Sequence, residues 1–363
     1  MKHQQLSNVN EYDRPLFHLT PAAGWMNDPH EFRDPKLWRE EDGTFRAIVA
    51  NYNADRGAQL LLYGSVDGLS WTFRKVLIEN RDRRGWMWEC PDFFPMGSKQ
   101  ILIASTMGDV QNFCMIGEYD RDREDFCEIA CRSLDQGIDF YAGQTVPAPD
   151  GRRILIGWMQ NPQTAEKRGI DFPINGQMSL PRELELHGDR ILQKPVRELE
   201  EQRTDGIRFR DVKLRGEVRL EGIKGRTIDM EVSLRPDENA PHGEGTYEMF
   251  RMQFAGDEAH FTEFSYQPKT SVATIDRSRS GPGKTELVKA ETEVRDRGGK
   301  LDIRLVLDKL SAEIFINDGE QVMSAVIYTD RHAEEITFYV KGTAMMDIAK
   351  YRIKENQSWQ VYH

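Results

Sequence analysis

The chain has 363 residues, a length that favours about two domains and allows a core of substantial size. Its 49 basic and 60 acidic residues give a net charge of −11 without a basic block, which argues against nucleic acid as a partner. The N-terminal segment lacks an apolar signal region, and no apolar run approaches the roughly 18 residues of a spanning helix. We therefore expect a cytoplasmic protein with no membrane partner.

Short β-type runs separated by turn residues dominate the chain. The clearest runs are residues 45–50, 59–65, 100–106, 152–159 and 303–307. The best helical candidate is residues 195–203, a polar stretch that has proline at its start. The pattern predicts an all-β protein with a short connector.

A weak repeat of roughly 55 residues runs through the N-terminal half, a period that indicates a repeated structural unit. The units begin near Arg33, Cys90 and Gly143, and each reads strand, turn, strand. About four short strands per unit are typical of a β-propeller blade, although a sandwich can produce the same pattern. We predict three blades within residues 33–194.

The C-terminal part changes character after the connector. Its alternating strands are longer, and polar turns such as NDGEQ separate them, as in a β-sandwich. We therefore assign residues 1–194 to a shortened propeller, residues 195–204 to the connector and residues 205–363 to a β-sandwich.

Three segments place a carboxylate beside an aromatic residue and a proline. They read WMNDP, FRDP and WECPDFF, and they contain Asp28, Asp34 and Glu89. Each segment alone is explained by ordinary turn chemistry. Together they suggest glycoside hydrolysis, because a retaining enzyme needs a nucleophilic carboxylate and a proton-donating one about 5 to 5.5 Å apart.

The ordered segments HLTPAAGWMNDP, FRDPKLW, WECPDFF, DFYAGQT, RRILIGWM and MSLPREL closely resemble the signature segments of glycoside hydrolase family 32. The similarity continues through SAEIFINDGEQVMSAVIY, so it covers nearly the whole chain. The resemblance implies a five-bladed propeller followed by a β-sandwich. It also implies retaining cleavage of β-fructofuranosides such as sucrose or sucrose 6-phosphate, without a metal or another cofactor.

The resemblance carries residue roles over by position. Asp28 matches the nucleophile, Asp34 matches the transition-state stabiliser that binds fructose hydroxyls, and Glu89 matches the general acid/base. Asn27 and Arg33 match sugar-binding neighbours in the same segments. The partner implied is a fructose-containing oligosaccharide.

Three further residues are candidates for contact with the substrate. Trp25 and Trp88 flank the carboxylate segments, and Asp139 lies in DFYAGQT, where a strand-end turn explains it equally well. In the C-terminal part, Glu313 and Asp318 lie on an alternating strand and its turn, where we expect solvated side chains.

The chain departs from the family between its first two motifs. In the family, the NDP and RDP segments begin different blades, whereas here Asp34 follows Asp28 by six residues. Six residues span at most about 20 Å, so the two side chains can still reach a common site. We interpret the difference as an internal deletion of nearly two blades, and we expect a homo-oligomer to cover the incomplete propeller.

Two functional hypotheses follow from the intact carboxylates and the missing segment. The first is a retaining β-fructofuranosidase. The alternative is a catalytically impaired relic that binds sugar weakly or serves as a scaffold, and a fructosyltransferase would use the same residues.

The cysteines and histidines do not suggest a metal site. Four cysteines lack paired CxxC spacing and are too few for a disulfide framework, so we expect reduced thiols. The eight histidines show no metal-ligand spacing.

Overall fold

The computed structural model describes residues 33–80, 84–108, 112–159, 177–238, 247–281, 287–295 and 297–354. Within these ranges the chain forms 22 strands and one short helix, which confirms the predicted all-β class. It divides into two compact units, Met1–Cys131 and Arg132–His363. None of the described helices is long and apolar enough to cross a membrane.

Three four-stranded antiparallel sheets follow one another along the chain, each with its strands paired in sequence order. The first comprises β1 (Arg33–Arg39), β2 (Phe45–Asn53), β3 (Gly57–Ser65) and β4 (Thr72–Glu79). The second comprises β5 (Met87–Met96), β6 (Lys99–Met107), β7 (Asn112–Asp120) and β8 (Asp125–Ser133). The third comprises β9 (Tyr141–Pro147), β10 (Arg153–Trp158), β11 (Arg182–His187) and β12 (Arg190–Pro195). These are the three predicted blades.

The middle strands of the first two blades read as continuous apolar runs because both of their faces are buried. In β6, the residues from Ile101 to Ala104 are all completely buried. Aromatic rings fill the same core, with the Trp88 and Phe113 ring centroids 5.2 Å apart. The apolar runs that predicted strands therefore mark the strands at the centre of each blade.

A one-turn helix, α1 (Glu198–Glu201), separates the third blade from the C-terminal strands and lies within the stretch predicted to be helical. The strands that follow are β13 (Arg203–Val218), β14 (Ile228–Pro236), β15 (Tyr247–Gly256), β16 (Thr262–Gln267), β17 (Val272–Asp276), β18 (Lys289–Glu293), β19 (Leu301–Asp308), β20 (Ser311–Ile316), β21 (Gln321–Val326) and β22 (Glu335–Ile353). We keep the sequence-based domain boundary at residues 195–204 as a proposal.

The long strand β22 connects the two groups of strands that form the sandwich. Its first part pairs with β15, for example Val340 with Phe250, and its second part pairs with β14, for example Ile348 with Val232. All four of these side chains belong to one apolar core. Because one strand takes part in both groups, the hydrogen-bonded ladder continues from one layer of the sandwich to the other.

A buried ion network fixes the third blade to the sandwich. The guanidinium of Arg182, on β11, donates to Glu313 at 2.6 and 3.0 Å and to Asp135 at 2.9 Å. Arg182 is completely buried, and its guanidinium lies over the Phe140 ring, 4.5 Å from the centroid. The contact explains why the third blade belongs to the same compact unit as the sandwich.

One sequence-based expectation fails at this network. Glu313 was expected on a solvated face, but only 3% of it is exposed, because it accepts hydrogen bonds from Arg182 and from the Leu180 amide. All residues of β20 are buried, so the alternation of polar and apolar residues in its sequence does not correspond to an exposed face. Asp318, in contrast, is exposed and lies 3.0 Å from the Lys194 ammonium.

We predict that Arg182→Met lowers the free energy of unfolding of the C-terminal unit by at least about 3 kcal/mol, because it leaves buried carboxylates without their cation. Urea unfolding followed by circular dichroism measures the change. Arg219→Met is the matched control, since Arg219 and its ion-pair partners Glu217 and Glu335 are all exposed, and the midpoint should stay almost unchanged. Equal midpoints for the two variants would contradict the structural role of Arg182.

Candidate active site

The first strands of the first two blades bring two of the predicted motifs together. Arg33 opens β1, and its guanidinium forms an ion pair with the Glu89 carboxylate near the start of β5. Only 9% of the Arg33 side chain and 18% of the Glu89 side chain are exposed. An ion pair at this depth is weakly screened by salt, so it holds the Glu89 carboxylate in one orientation.

A second contact joins the next residue of each motif. The Cys90 amide donates a hydrogen bond to Asp34 Oδ2 at 2.9 Å, and the Cys90 thiol lies 3.6 Å from the same oxygen. Both residues have left-handed backbones, with φ of 51° and 49°. Both also precede a proline, a position that favours extended conformations. Strain of this kind is typical of functional sites, and the hydrogen bond between the two residues helps to maintain it.

The strained residues belong to a local structure that recurs in all three described blades. The first strand of each blade shifts register against the second strand, as in a β-bulge, and the shift includes Asp34, Cys90 or Ala142. Ala142 also has a positive φ, of 53°. The repeat detected in the sequence therefore includes the bulge. Asp34 lies in the bulge of the first blade, and Glu89 immediately precedes the bulge of the second.

A third contact lies two residues further along each strand. The Lys36 ammonium is 3.0 Å from the Asp92 carboxylate, which is completely buried. The contacts Arg33 to Glu89 and Asp34 to Cys90 each join residues that are 56 positions apart, and Lys36 and Asp92 have the same spacing. These three contacts align β1 with β5 in a single register.

The structure thus brings together three of the residues predicted for the site, Arg33, Asp34 and Glu89. Trp25, Asn27 and Asp28 lie outside the described residues. Their predicted roles, that of the nucleophile included, stay predictions.

Trp88, which was predicted to contact the substrate, is buried in this structure. Only 1% of it is exposed, and its indole N–H donates to the Arg84 carbonyl at 3.0 Å. The side chain packs in the blade core, on the opposite side of the strand from its neighbour Glu89, as alternation along a strand requires.

Asp139 was also predicted to contact the substrate. It is completely buried, forms an ion pair with Arg277 and accepts a hydrogen bond from the Val326 amide at 2.8 Å. These contacts join the third blade to the sandwich and leave Asp139 without exposed surface.

Sequence analysis missed the roles of Cys90, Lys36 and Asp92. The two motifs RDPK and ECPD have the same order, a charged residue, one further residue, proline and a second charged residue. This shared order could have indicated that their residues are equivalent. Met107 was missed as well, and its sulfur lies 3.6 Å from Arg33 Nη1.

The described part of the chain contains no group of His, Cys, Asp and Glu side chains that could hold a metal ion. Its four cysteines are free, and Cys127 is exposed. Burial, together with the nearby carboxylates of Asp34 and Glu89, raises the pKa of the Cys90 thiol to about 12. Cys90 is therefore a neutral neighbour of the two carboxylates at physiological pH.

Comparison with protein families gives two matches that together cover most of the chain. Residues 30–195 match the glycosyl hydrolases family 32 N-terminal domain, and residues 198–355 match the glycosyl hydrolases family 32 C-terminal domain. The border between the two matches coincides with the end of the third blade and the start of α1.

Individual relatives agree with these matches. The chain is 31% identical over 344 residues to sucrose-6-phosphate hydrolase of Escherichia coli, covering 90% of this chain and 67% of that protein. It is 29% identical over 365 residues to sucrose-6-phosphate hydrolase of Staphylococcus xylosus, covering 96% and 70%. A solved Bombyx mori GH32 β-fructofuranosidase mutant in complex with sucrose is 27% identical, with a TM-score of 0.70 and coverage of 90% and 66%. The chain thus spans about two thirds of the length of these relatives.

We predict that iodoacetamide at pH 8 modifies the exposed Cys127 and leaves Cys90 unmodified, because only the thiolate reacts and the Cys90 thiol stays protonated. Peptide mass spectrometry after a timed reaction measures both sites. Repeating the reaction in urea should make Cys90 reactive, which controls for detection of its peptide. Equal modification of the two cysteines in the folded protein would contradict the environment described for Cys90.

Proposed function

Because the chain belongs to glycosyl hydrolase family 32, we propose that it is a retaining β-fructofuranosidase that cleaves sucrose or sucrose 6-phosphate. The family and the enzyme class, a glycoside hydrolase of the β-fructofuranosidase type, agree with the prediction from sequence. The observation that carries the proposal is the pairing of the two motifs through Arg33 with Glu89 and Asp34 with Cys90.

The substrate class rests on the relatives. Two of them are named sucrose-6-phosphate hydrolases, and the Bombyx mori enzyme was solved with sucrose. A fructose-containing oligosaccharide with a fructofuranosyl end is the substrate that we propose for this chain.

In the first step of the proposed mechanism, the Asp28 carboxylate attacks the anomeric carbon of the fructosyl unit. Glu89 donates its proton to the glycosidic oxygen as the bond from that oxygen to the anomeric carbon breaks. The products of this step are a fructosyl ester of Asp28 and the free leaving sugar.

In the second step, the Glu89 carboxylate takes a proton from water, and the resulting hydroxide oxygen bonds to the anomeric carbon. The ester bond to Asp28 breaks, fructose leaves, and both carboxyl groups return to their starting protonation states. A sugar hydroxyl in place of water would make the same chemistry a fructosyl transfer.

Asp34 and Arg33 have supporting roles in this proposal. Asp34 Oδ2 is occupied by the Cys90 amide, which fixes the carboxylate plane and leaves Oδ1 as an acceptor for fructose hydroxyls. Arg33 orients the Glu89 carboxylate through their ion pair. Fixed orientation matters because misplacement of a reacting group by about 1 Å can lower a rate about a hundredfold.

The length of the chain favours a second candidate function. Coverage of only 66 to 70% of the compared relatives is compatible with the loss of groups that position the sugar. A catalytically impaired chain that binds sugar weakly, or that serves as a scaffold, is therefore the alternative.

The cytoplasmic location and self-association that were expected from the sequence remain part of the proposal. Light scattering on the purified chain measures the second of these directly. A monomer at micromolar concentration would remove self-association from the proposal without affecting the proposed chemistry.

We predict that Glu89→Gln lowers kcat for sucrose or sucrose 6-phosphate by at least about a hundredfold with little change in KM, because the amide can neither donate nor accept the transferred proton. Fructose release measured under initial-rate conditions gives both constants. Glu118→Gln is the matched control, since Glu118 is an exposed carboxylate of the same blade.

The outcomes separate the two candidate functions. Turnover by the wild-type chain and by Glu118→Gln, lost in Glu89→Gln, supports the enzyme. A wild-type chain that releases no fructose from either sugar supports the impaired alternative. Turnover of Glu89→Gln within about threefold of the wild type would contradict the general acid/base role of Glu89.

A further inference from the structure

The sandwich contains a cavity of about 650 Å³ with a strongly positive lining. It is bordered by the segment before β14, the turn between β19 and β20, the loop before β22 and the end of β22. Its charged lining residues are the cationic Lys224, Arg226, Lys309, Arg331, Lys350 and Arg352 and the anionic Asp205 and Glu334. Six cationic side chains against two anionic ones are unusual in a chain of net charge −11.

Arg226 lines this cavity and is only 5% exposed. Its guanidinium donates to the Lys309 carbonyl at 2.8 and 3.0 Å and to the Thr329 hydroxyl at 2.7 Å. Burial lowers the pKa of Arg226 to about 10. Among the described residues, no carboxylate lies within ion-pair distance of its guanidinium, and Asp330 and Asp308 act on it only from a greater distance.

Lys350 is the second buried cation of the cavity and is 8% exposed. Its ammonium donates to the carbonyls of Gly222 at 3.1 Å and Lys224 at 3.3 Å. An ammonium has three N–H donors, so one donor remains after these two bonds. Within the described ranges, Lys350 also has no carboxylate at ion-pair distance.

The other buried cations of the described residues have carboxylate partners. Arg182 and Arg277, in the same compact unit, are buried as deeply, and each forms an ion pair with a buried carboxylate. Burial of an unpaired charge is costly, and folded proteins normally compensate it with a counter-charge. A bound anion would supply the counter-charge for Arg226 and Lys350.

The exposed side chains that line the cavity add positive charge around the buried pair. Lys224, Arg331 and Arg352 are exposed, and His332, which also lines the cavity, hydrogen bonds to Asp330 at 2.8 Å. Arginine forks suit the oxygens of a phosphate, since two parallel N–H donors match two of them.

We propose that this cavity binds a small phosphate-type oxyanion, either inorganic phosphate or the phosphoryl group of a sugar phosphate. Lys350 supplies a buried donor, Arg226 supplies positive potential, and Arg331 and Arg352 close on the anion from the rim. The cavity belongs to the C-terminal unit, whereas Asp34 and Glu89 belong to the N-terminal unit. The site is therefore a different one from the proposed catalytic site.

Titration with inorganic phosphate, at ionic strength kept constant with sodium chloride, tests the proposal. Saturating phosphate should raise the thermal midpoint of the C-terminal unit by about 2 to 4 °C, because it binds only the folded state. Isothermal titration calorimetry on the full chain should give one site. A second titration with glucose 6-phosphate distinguishes the two sources. Tighter binding of inorganic phosphate identifies free phosphate as the ligand, and tighter binding of glucose 6-phosphate identifies a sugar phosphoryl group.

The variant Arg331→Gln with Arg352→Gln should raise the half-saturating concentration at least about tenfold, because charged donors dominate oxyanion affinity. Arg215→Gln with Arg295→Gln is the matched control, since both arginines are exposed, lie outside the cavity and remove the same charge. Its affinity should equal that of the wild type. A thermal midpoint that rises without saturation, and equally in both double variants, would reflect the general exclusion of phosphate from the protein surface and would overturn the proposal. The absence of any rise in the midpoint would overturn it as well.

Discussion

The hydrogen bond from the Cys90 amide to the Asp34 carboxylate is the interaction on which the candidate active site depends. Each of these residues has a left-handed backbone, and such conformations cost about 1 to 3 kcal/mol each for residues other than glycine. The bond lets one strained residue support the other. With the ion pair of Arg33 and Glu89 and that of Lys36 and Asp92, it aligns the first strands of two blades that share no backbone ladder.

Blade repetition explains why these contacts occur in series. The two strands carry the same bulge and the same residue order, so a constant offset of 56 positions brings each residue of one motif to its counterpart in the other. Equivalent positions of the two strands carry opposite charges, arginine against glutamate and lysine against aspartate. Residues at equivalent positions of the two blades therefore differ in charge, and this difference allows them to form polar contacts with one another.

The fold could be predicted from the sequence for two reasons. Strands that are buried on both faces, such as β6, are continuous apolar runs, and the period of the blades is recognisable at Arg33, Cys90 and Gly143. It also selected Arg33, Asp34 and Glu89, which the structure brings together. It failed where residue type alone does not determine environment. Asp139 and Glu313 are acidic and yet completely or almost completely buried, because arginines distant in sequence neutralise them.

The failures at Trp88 and at Asp92 have a related cause. Both lie in WECPDFF beside the candidate acid, and only the alternation of the strand, modified by the bulge, decides which side chain enters the core and which meets β1. A motif therefore indicates that a segment is functional without indicating the role of each of its residues. Side-chain roles depend on register, and the register here depends on a bulge that propensity does not predict.

The same contacts bear on how a chain shorter than its relatives could work. The described ion pair of Glu89 and the described hydrogen bond of Asp34 join β1 to β5, the first strands of two four-stranded blades. The general acid/base candidate of the proposed mechanism therefore lies within the described residues, and its ion pair with Arg33 does not involve the additional length that the relatives carry. The nucleophilic step depends on Asp28, which is six residues from Asp34 in the sequence and therefore at most about 20 Å from it. A defect in turnover would thus be located at the nucleophile or at the walls of the sugar pocket, since the proton-transfer group is already held in place.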